Sequence, residues 1–160
     1  MMNLARAVHL DESDLNVFAW PARTGEWCLS GGFEFSDWAE GDLVGKPRQA
    51  FANGWLGLET FGRATFVAVT RIEPGELARL EDGLARHFVD RYGAPSLDAA
   101  LAVAREEIAQ MTDLCDGHDA NTLLTVAREL TPAGVKESYR MIEVQAAEIV
   151  QLAVHGDPGD

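Results

Sequence analysis

The sequence predicts an α+β fold: a largely antiparallel β-sheet with an antiparallel two-helix hairpin packed on one face. Three observations predict it. Alternating or β-branched segments crowd the first and last thirds of the chain, and two long stretches with apolar residues at spacings of three and four stand back to back near the middle. The strict strand–helix alternation of a parallel nucleotide-binding sheet is missing, as are loops of the GxGxxG or P-loop kind.

In chain order, Leu4, Arg6, Val8 and Leu10 alternate with smaller or polar neighbours and predict an opening strand, which the turn formers Asp11 to Asp14 break. A second extended piece is expected from Asn16 to Trp20. After a turn over Pro21 to Gly25, Glu26 to Leu29 and Phe33 to Phe35 are expected as strands joined through Gly31 and Gly32, making the first third a meander. Within Asp42 to Leu58 a short helix is expected, with Pro47 at its start and Phe51, Trp55 and Leu58 on one face. Gly54 and Gly57 weaken it. The β-branched run Thr65 to Ile72 is a strand stopped by Glu73 and Pro74.

Pro74 at a first helical position opens the first long helix, whose stripe is Leu77, Leu80, Leu84, Phe88 and Tyr92. Gly93 stops it. Ser96 caps the second, striped by Leu97, Leu101, Ala104, Ile108, Met111 and Cys115, and the short linker forces the two antiparallel. Asn121 to Leu130 and Val135 to Val144 flank the turn sequence Thr131-Pro-Ala-Gly134 and are expected to pair as a hairpin. Gln145 to His155 fits neither period, and residues 156–160 are expected as a flexible acidic tail on a single domain spanning 1–155.

A chain of 160 residues buries roughly 70% of its unfolded surface and needs neither a disulfide nor a metal to fold. Its net charge of −13 repels phosphate backbones and anionic lipid, so neither nucleic acid nor membrane is an expected partner. Cys28 and Cys115 are far apart without CxxC spacing and are expected as reduced thiols. No signal-peptide pattern opens the chain and no apolar run approaches the roughly 20 residues of a membrane span, so a cytoplasmic location is expected.

Three groups of residues are candidates for chemistry. Cys115 and His118 stand three apart among Asp113, Asp116 and Asp119, all zinc-ligand types. Against a metal or thiol site there, Cys115 continues the helical stripe as a small core hydrophobe, and a lone CxxH lacks the usual second pair. His87, Glu106 and Glu107 lie on the helical hairpin, where the register sets them apart as solvated helix charges. The third group is a basic island between Leu43 and Ile72, where Lys46, Arg48, Arg63 and Arg71 face only Glu59 in an otherwise acidic chain. Punctuated by glycines and carrying Trp55, it suits a carboxylate, a phosphate or an acidic partner surface. The alternative is that its arginines merely neutralise neighbouring acids. The tryptophans, Trp20, Trp27, Trp38 and Trp55, all fall in the first 55 residues, either as core or as a recognition surface.

The strings Gly45-Lys-Pro-Arg-Gln-Ala-Phe-Ala-Asn-Gly54 and Gly57-Leu-Glu-Thr-Phe-Gly-Arg-Ala-Thr-Phe-Val-Ala-Val69, with Tyr92-Gly-Ala-Pro95 and Asn121-Thr-Leu-Leu-Thr-Val126, resemble a family of short alphaproteobacterial proteins of unknown function. The likeness runs from about Trp27 to Met141 and transfers no catalytic residue. Such proteins look like neighbours of molybdoenzyme-maturation or lipoate-ligase-like genes, which implies a part in metalloenzyme or cofactor maturation. The expected function is therefore an accessory or adaptor protein that binds a protein partner, or a second copy of itself, through Lys46, Arg48, Arg63 and Trp55. No cofactor is expected. The alternatives are a metal-dependent or thiol enzyme using Cys115 and His118, and a binder of a small anion at the basic island.

Overall fold

The structure, a computed structural model, describes residues 2–10 and 14–142. Its centre is the pairing of β1 (Met2–Val8) with β5 (Phe66–Ile72), antiparallel in register from Met2 opposite Ile72 to Val8 opposite Phe66. Side chains alternate across the pair and both faces are covered: Ala5, Ala7, Val67 and Val69 are buried on one, Leu4 and Ile72 on the other. On one side of this pair follow β2 (Trp27–Leu29), β3 (Trp55–Gly57) and β4 (Arg63–Ala64); on the other lie β6 (Leu123–Thr131) and β7 (Gly134–Ile142). All seven strands are antiparallel to their neighbours in the order β4-β3-β2-β1-β5-β6-β7.

Numbering the helices in chain order gives α1 (Asp14–Val17), α2 (Gly45–Asn53), α3 (Pro74–Tyr92) and α4 (Leu97–Asp116). The hairpin of α3 and α4 forms as its spacing demands. Pro74 opens α3, Gly93 closes it at φ +67°, and the Ser96 hydroxyl accepts from the Ala99 N–H at 3.1 Å to cap α4. Ala100, Ala104, Ile108, Met111 and Cys115 turn inward, placing α4 against β1 and β2 with α3 beside it. The α+β class and the helical layer on the sheet are therefore as expected.

Three local expectations are corrected. The expected extended piece Asn16 to Trp20 begins inside a helix, because α1 runs through Val17. Phe33 to Phe35 lies in a 3-10 turn, not a strand. Gly31 at φ +72° redirects the chain, and the two rings then serve different neighbours, Phe33 edge-on to Phe88 at 5.0 Å and Phe35 edge-on to Phe51 at 5.3 Å. Finally, the helix within Asp42 to Leu58 stops at Asn53, because Gly54 turns extended and Trp55–Gly57 pairs with β2 instead. The chain from Glu143 onward, including Gln145 to His155 and the acidic tail, lies outside the described residues.

The two ends of the sheet meet. Trp55 of β3 stacks on Tyr139 of β7 at 5.8 Å, and the Arg128 guanidinium of β6 donates to the Phe51 and Gly54 carbonyls, each at 2.9 Å. Arg63 of β4 donates to the same Gly54 carbonyl at 3.0 Å and to Gly31 at 3.1 Å. Both guanidiniums also lie over the Phe35 ring, at 4.6 and 5.2 Å. A polar clasp of two buried arginines thus joins α2, the Gly32–Phe35 turn and both halves of the sheet. One carboxylate balances each cation: Glu34 pairs with Arg63, and Glu137 with Arg128 at 2.6 Å.

Candidate functional site

A concave surface of mixed chemistry forms around Glu34. It starts from a short loop between β3 and β4. The Glu26 carboxylate, almost fully buried, accepts from the Glu59 and Thr60 N–H groups at 2.8 and 2.6 Å, from the Thr60 hydroxyl at 2.9 Å, and from the Arg23 N–H at 2.9 Å. One side chain therefore satisfies donors that the tight loop leaves unpaired. Held in this way, Phe61 adopts φ +58°, a conformation that bulky residues rarely take. Its ring stacks parallel on His87 of α3, centroids 3.7 Å apart.

Trp20 runs alongside. Its carbonyl accepts from the Arg63 N–H at 2.8 Å and its indole N–H donates to the Thr60 carbonyl at 2.8 Å, yet the side chain remains 65% exposed. Gly62 is what allows this approach: a Cβ there would come within 2.6 Å of the Pro21 backbone. Between Trp20 and Phe61 sits Glu34, which pairs with Arg63 through one oxygen and accepts from the Tyr92 hydroxyl at 2.5 Å through the other. Two adjoining hollows share Trp20, Glu34 and Phe61: one of about 220 Å³ reaching Trp38, Lys46 and Pro47, and one of about 490 Å³ reaching His87, Arg91 and Tyr92.

Electrostatics here follow burial. The Arg63 guanidinium is lowered to about 10 by burial, with Glu34 pulling the other way, so it stays charged at neutral pH. Burial also lowers His87, only partly offset by Glu34 at 4.0 Å, which leaves the imidazole neutral. Tyr92 is raised by burial and by its bond to Glu34 and keeps its proton. Cationic side chains that remain exposed are Lys46 at one rim and Arg91 at the other.

The expected site residues separate. Lys46 lines the smaller hollow, and Arg48 is exposed on the same helix. Arg63 touches the hollow but is 5% exposed and engaged by Glu34 and three carbonyls, so it is a structural residue and not a free contact. Trp55 is completely buried against Tyr139 and is withdrawn from any recognition surface. Cys115 is sealed in the core beneath α4. Its thiol is pushed up to about 12 by burial, with Asp116 adding to the shift, and its link to His118 is a backbone hydrogen bond of 3.0 Å. Among the described residues no group of three or more His, Cys, Asp or Glu side chains is placed to hold a metal.

This burial makes a direct prediction. In the folded protein neither Cys115 nor Cys28, which is also sealed and raised, reacts with a thiol reagent at neutral pH, and both react on denaturation. Rapid labelling of Cys115 in native buffer, read by mass spectrometry, contradicts the buried placement.

Glu34 and Tyr92 give no signal in the sequence, and His87, expected as a solvated helix charge, is instead largely buried. The hairpin register leaves His87 on the outside of α3, where the distant Phe61 loop, Glu34 and Tyr92 cover it. Trp20 carried a signal: an indole directly before Pro21 in a turn cannot easily be taken into a core.

Comparison with known proteins adds one match. A model for a family of unknown function covers residues 2–160. No curated protein and no solved structure matches the chain.

Proposed function

Because the chain belongs to DUF6505, a family of unknown function, we propose its role from the site: it is an accessory protein that binds a protein partner through the Trp20–Phe61 cleft. The observation that carries this is Trp20 itself. An indole left 65% exposed but tethered at its N–H is a large apolar surface already ordered before binding, so little entropy is lost when a partner covers it. Phe61, fixed in an unfavourable backbone conformation and stacked on His87, completes an aromatic wall.

The occupant is a partner segment that offers an apolar side chain to this wall and a carboxylate to the rim. Lys46 and Arg91 supply exposed positive charge in a molecule of net charge −13, whereas Glu34 is neutralised by Arg63 and Tyr92. Glu34, Arg63 and Tyr92 are engaged with one another in the cleft, whereas the buried His87 Nε2 has no hydrogen-bond partner among the described residues. A bacterial setting and a part in metalloenzyme or cofactor maturation are extensions that rest on family resemblance, and the cytoplasmic location expected from the sequence is kept as part of the proposal.

The test uses a photo-crosslinking residue at position 20 or 46, with position 103 on the exposed face of α4 as control. One and the same partner is expected at 20 and 46 and not at 103. With that partner in hand, Trp20→Ala weakens binding by about 2 kcal/mol, near thirtyfold, while stability falls by less than about 1 kcal/mol. Equal crosslinking at position 103, or unchanged affinity in Trp20→Ala, rejects the reading.

A further inference from the structure

A third hollow, of about 380 Å³, lies between α4, the Gly32–Phe35 turn and β7. Glu107, Gln110 and Met111 line it from α4, Phe33 from the turn, and Glu137 and Tyr139 from β7. It shares no lining residue with the Trp20–Phe61 cleft, and the inference drawn from it stands independently of the docking proposal.

The two carboxylates differ in kind. Glu137 is fixed: one oxygen accepts from the Ser30 hydroxyl and from Arg128 Nε, each at 2.6 Å, and the other from the Tyr139 hydroxyl at 2.7 Å. Burial alone raises its carboxyl, but these three donors and the Arg128 charge outweigh burial and hold it low, so it stays ionised and neutralised by Arg128. Glu107 has no hydrogen bond or ion pair among the described residues. Burial raises its carboxyl, as do the charges of Glu137 and Glu106. Glu137 is thus balanced by Arg128, whereas no cation among the described residues faces the Glu107 carboxyl.

Acidic side chains alone describe an ordinary solvated surface. Here they share a concave space with the rings of Phe33 and Tyr139 and with apolar Met111, Leu114 and Val135. Rings beside carboxylates suit an organic cation, whose charge meets the acids while its methylene or methyl groups meet the aromatic surface. A hard metal ion wants a shell of six or more oxygens, and this half-apolar lining does not provide one.

We propose that this hollow is a binding site for a small alkylammonium compound, its cationic head at the unpaired Glu107 carboxyl and its apolar part against Phe33, Tyr139 and Met111. The experiment is an amide-NMR titration of the full chain with tetramethylammonium, n-butylammonium, the neutral isostere neopentyl alcohol and, separately, calcium chloride. One or both ammonium probes are expected to shift signals from Glu107 and Tyr139, with neopentyl alcohol and calcium at least about tenfold weaker. Glu107→Gln, which removes a disfavoured charge and leaves the fold intact, weakens ammonium binding by about tenfold or more, whereas Glu106→Gln on the exposed side of α4 leaves it unchanged. Equal binding of the neutral isostere overturns the proposal in favour of a merely apolar hollow, and tighter calcium binding overturns it in favour of an inorganic cation site. Absence of any shift, or indifference to Glu107→Gln, also overturns it.

Discussion

Arg128→Ala lowers the free energy of unfolding by about 3–5 kcal/mol, the largest effect expected of any single substitution in this protein. The side chain is fully buried and donates to the Ala50, Phe51, Gly54 and Ser30 carbonyls while pairing with Glu137. Truncation leaves Glu137 half-buried without its cation and several carbonyls without donors, and each such loss is destabilising. Domains of this size are stable by only about 5–15 kcal/mol, so the variant is expected near the edge of folding. Arg128→Lys is expected to retain part of the loss, because an ammonium keeps the charge but lacks the planar fork that reaches carbonyls on α2 and on the Ser30 loop together. Urea denaturation measures both. A double variant, Arg128→Met with Glu137→Gln, is expected to cost less than Arg128→Ala, since no uncompensated charge remains. An unfolding free energy within about 1 kcal/mol of wild type for Arg128→Ala removes the clasp from the account of the fold.

Glu26→Ala is the second large effect, about 2–3 kcal/mol, and it reaches the cleft. The carboxylate is 2% exposed and accepts from three backbone N–H groups and one hydroxyl. Without it, Glu59 and Thr60 lose the acceptor that holds the loop, and nothing then compels Phe61 to remain at φ +58°. Glu26→Gln does not rescue fully, because an amide nitrogen is turned toward donors. Both stability and partner affinity are expected to fall in Glu26→Ala, whereas Trp20→Ala reduces affinity with little change in stability. A Glu26→Ala protein that unfolds like wild type places the loop's rigidity elsewhere.

How much of this was legible depended on whether the signal was local. The helical hairpin and the β6–β7 hairpin follow from periodicity and caps within each segment, so Gly93, Ser96 and Thr131-Pro-Ala-Gly134 announce them. Phe33 and Phe35 misled because a two-residue spacing between aromatics fits a strand as well as a tight turn that sends each ring to a different partner. Gly54 and Gly57 look like helix breakers; in the structure Gly54 leaves α2 beside the Arg63 side chain, and Gly57 makes room for the Glu26 carboxylate. The basic island was visible as a local excess of charge, but charge along the chain does not say which guanidinium is buried. Lys46 proved exposed and Arg63 structural. Arg128, the residue with the greatest structural burden, looked like one more charge on a hairpin strand opposite Glu137, because the carbonyls it donates to lie more than seventy residues away around the end of α2 and on the Ser30 loop.

The claim on which the functional account rests is that a partner covers the exposed indole and leaves the sealed ones untouched. The four tryptophans provide an internal comparison: Trp20 is exposed, Trp38 half-buried, and Trp27 and Trp55 buried. Indole N–H signals recorded by ¹⁵N NMR on addition of the crosslinked partner measure it directly. The account predicts that the Trp20 signal moves most and Trp38 next, with Trp27 and Trp55 in place; a saturated complex in which Trp20 does not move contradicts it.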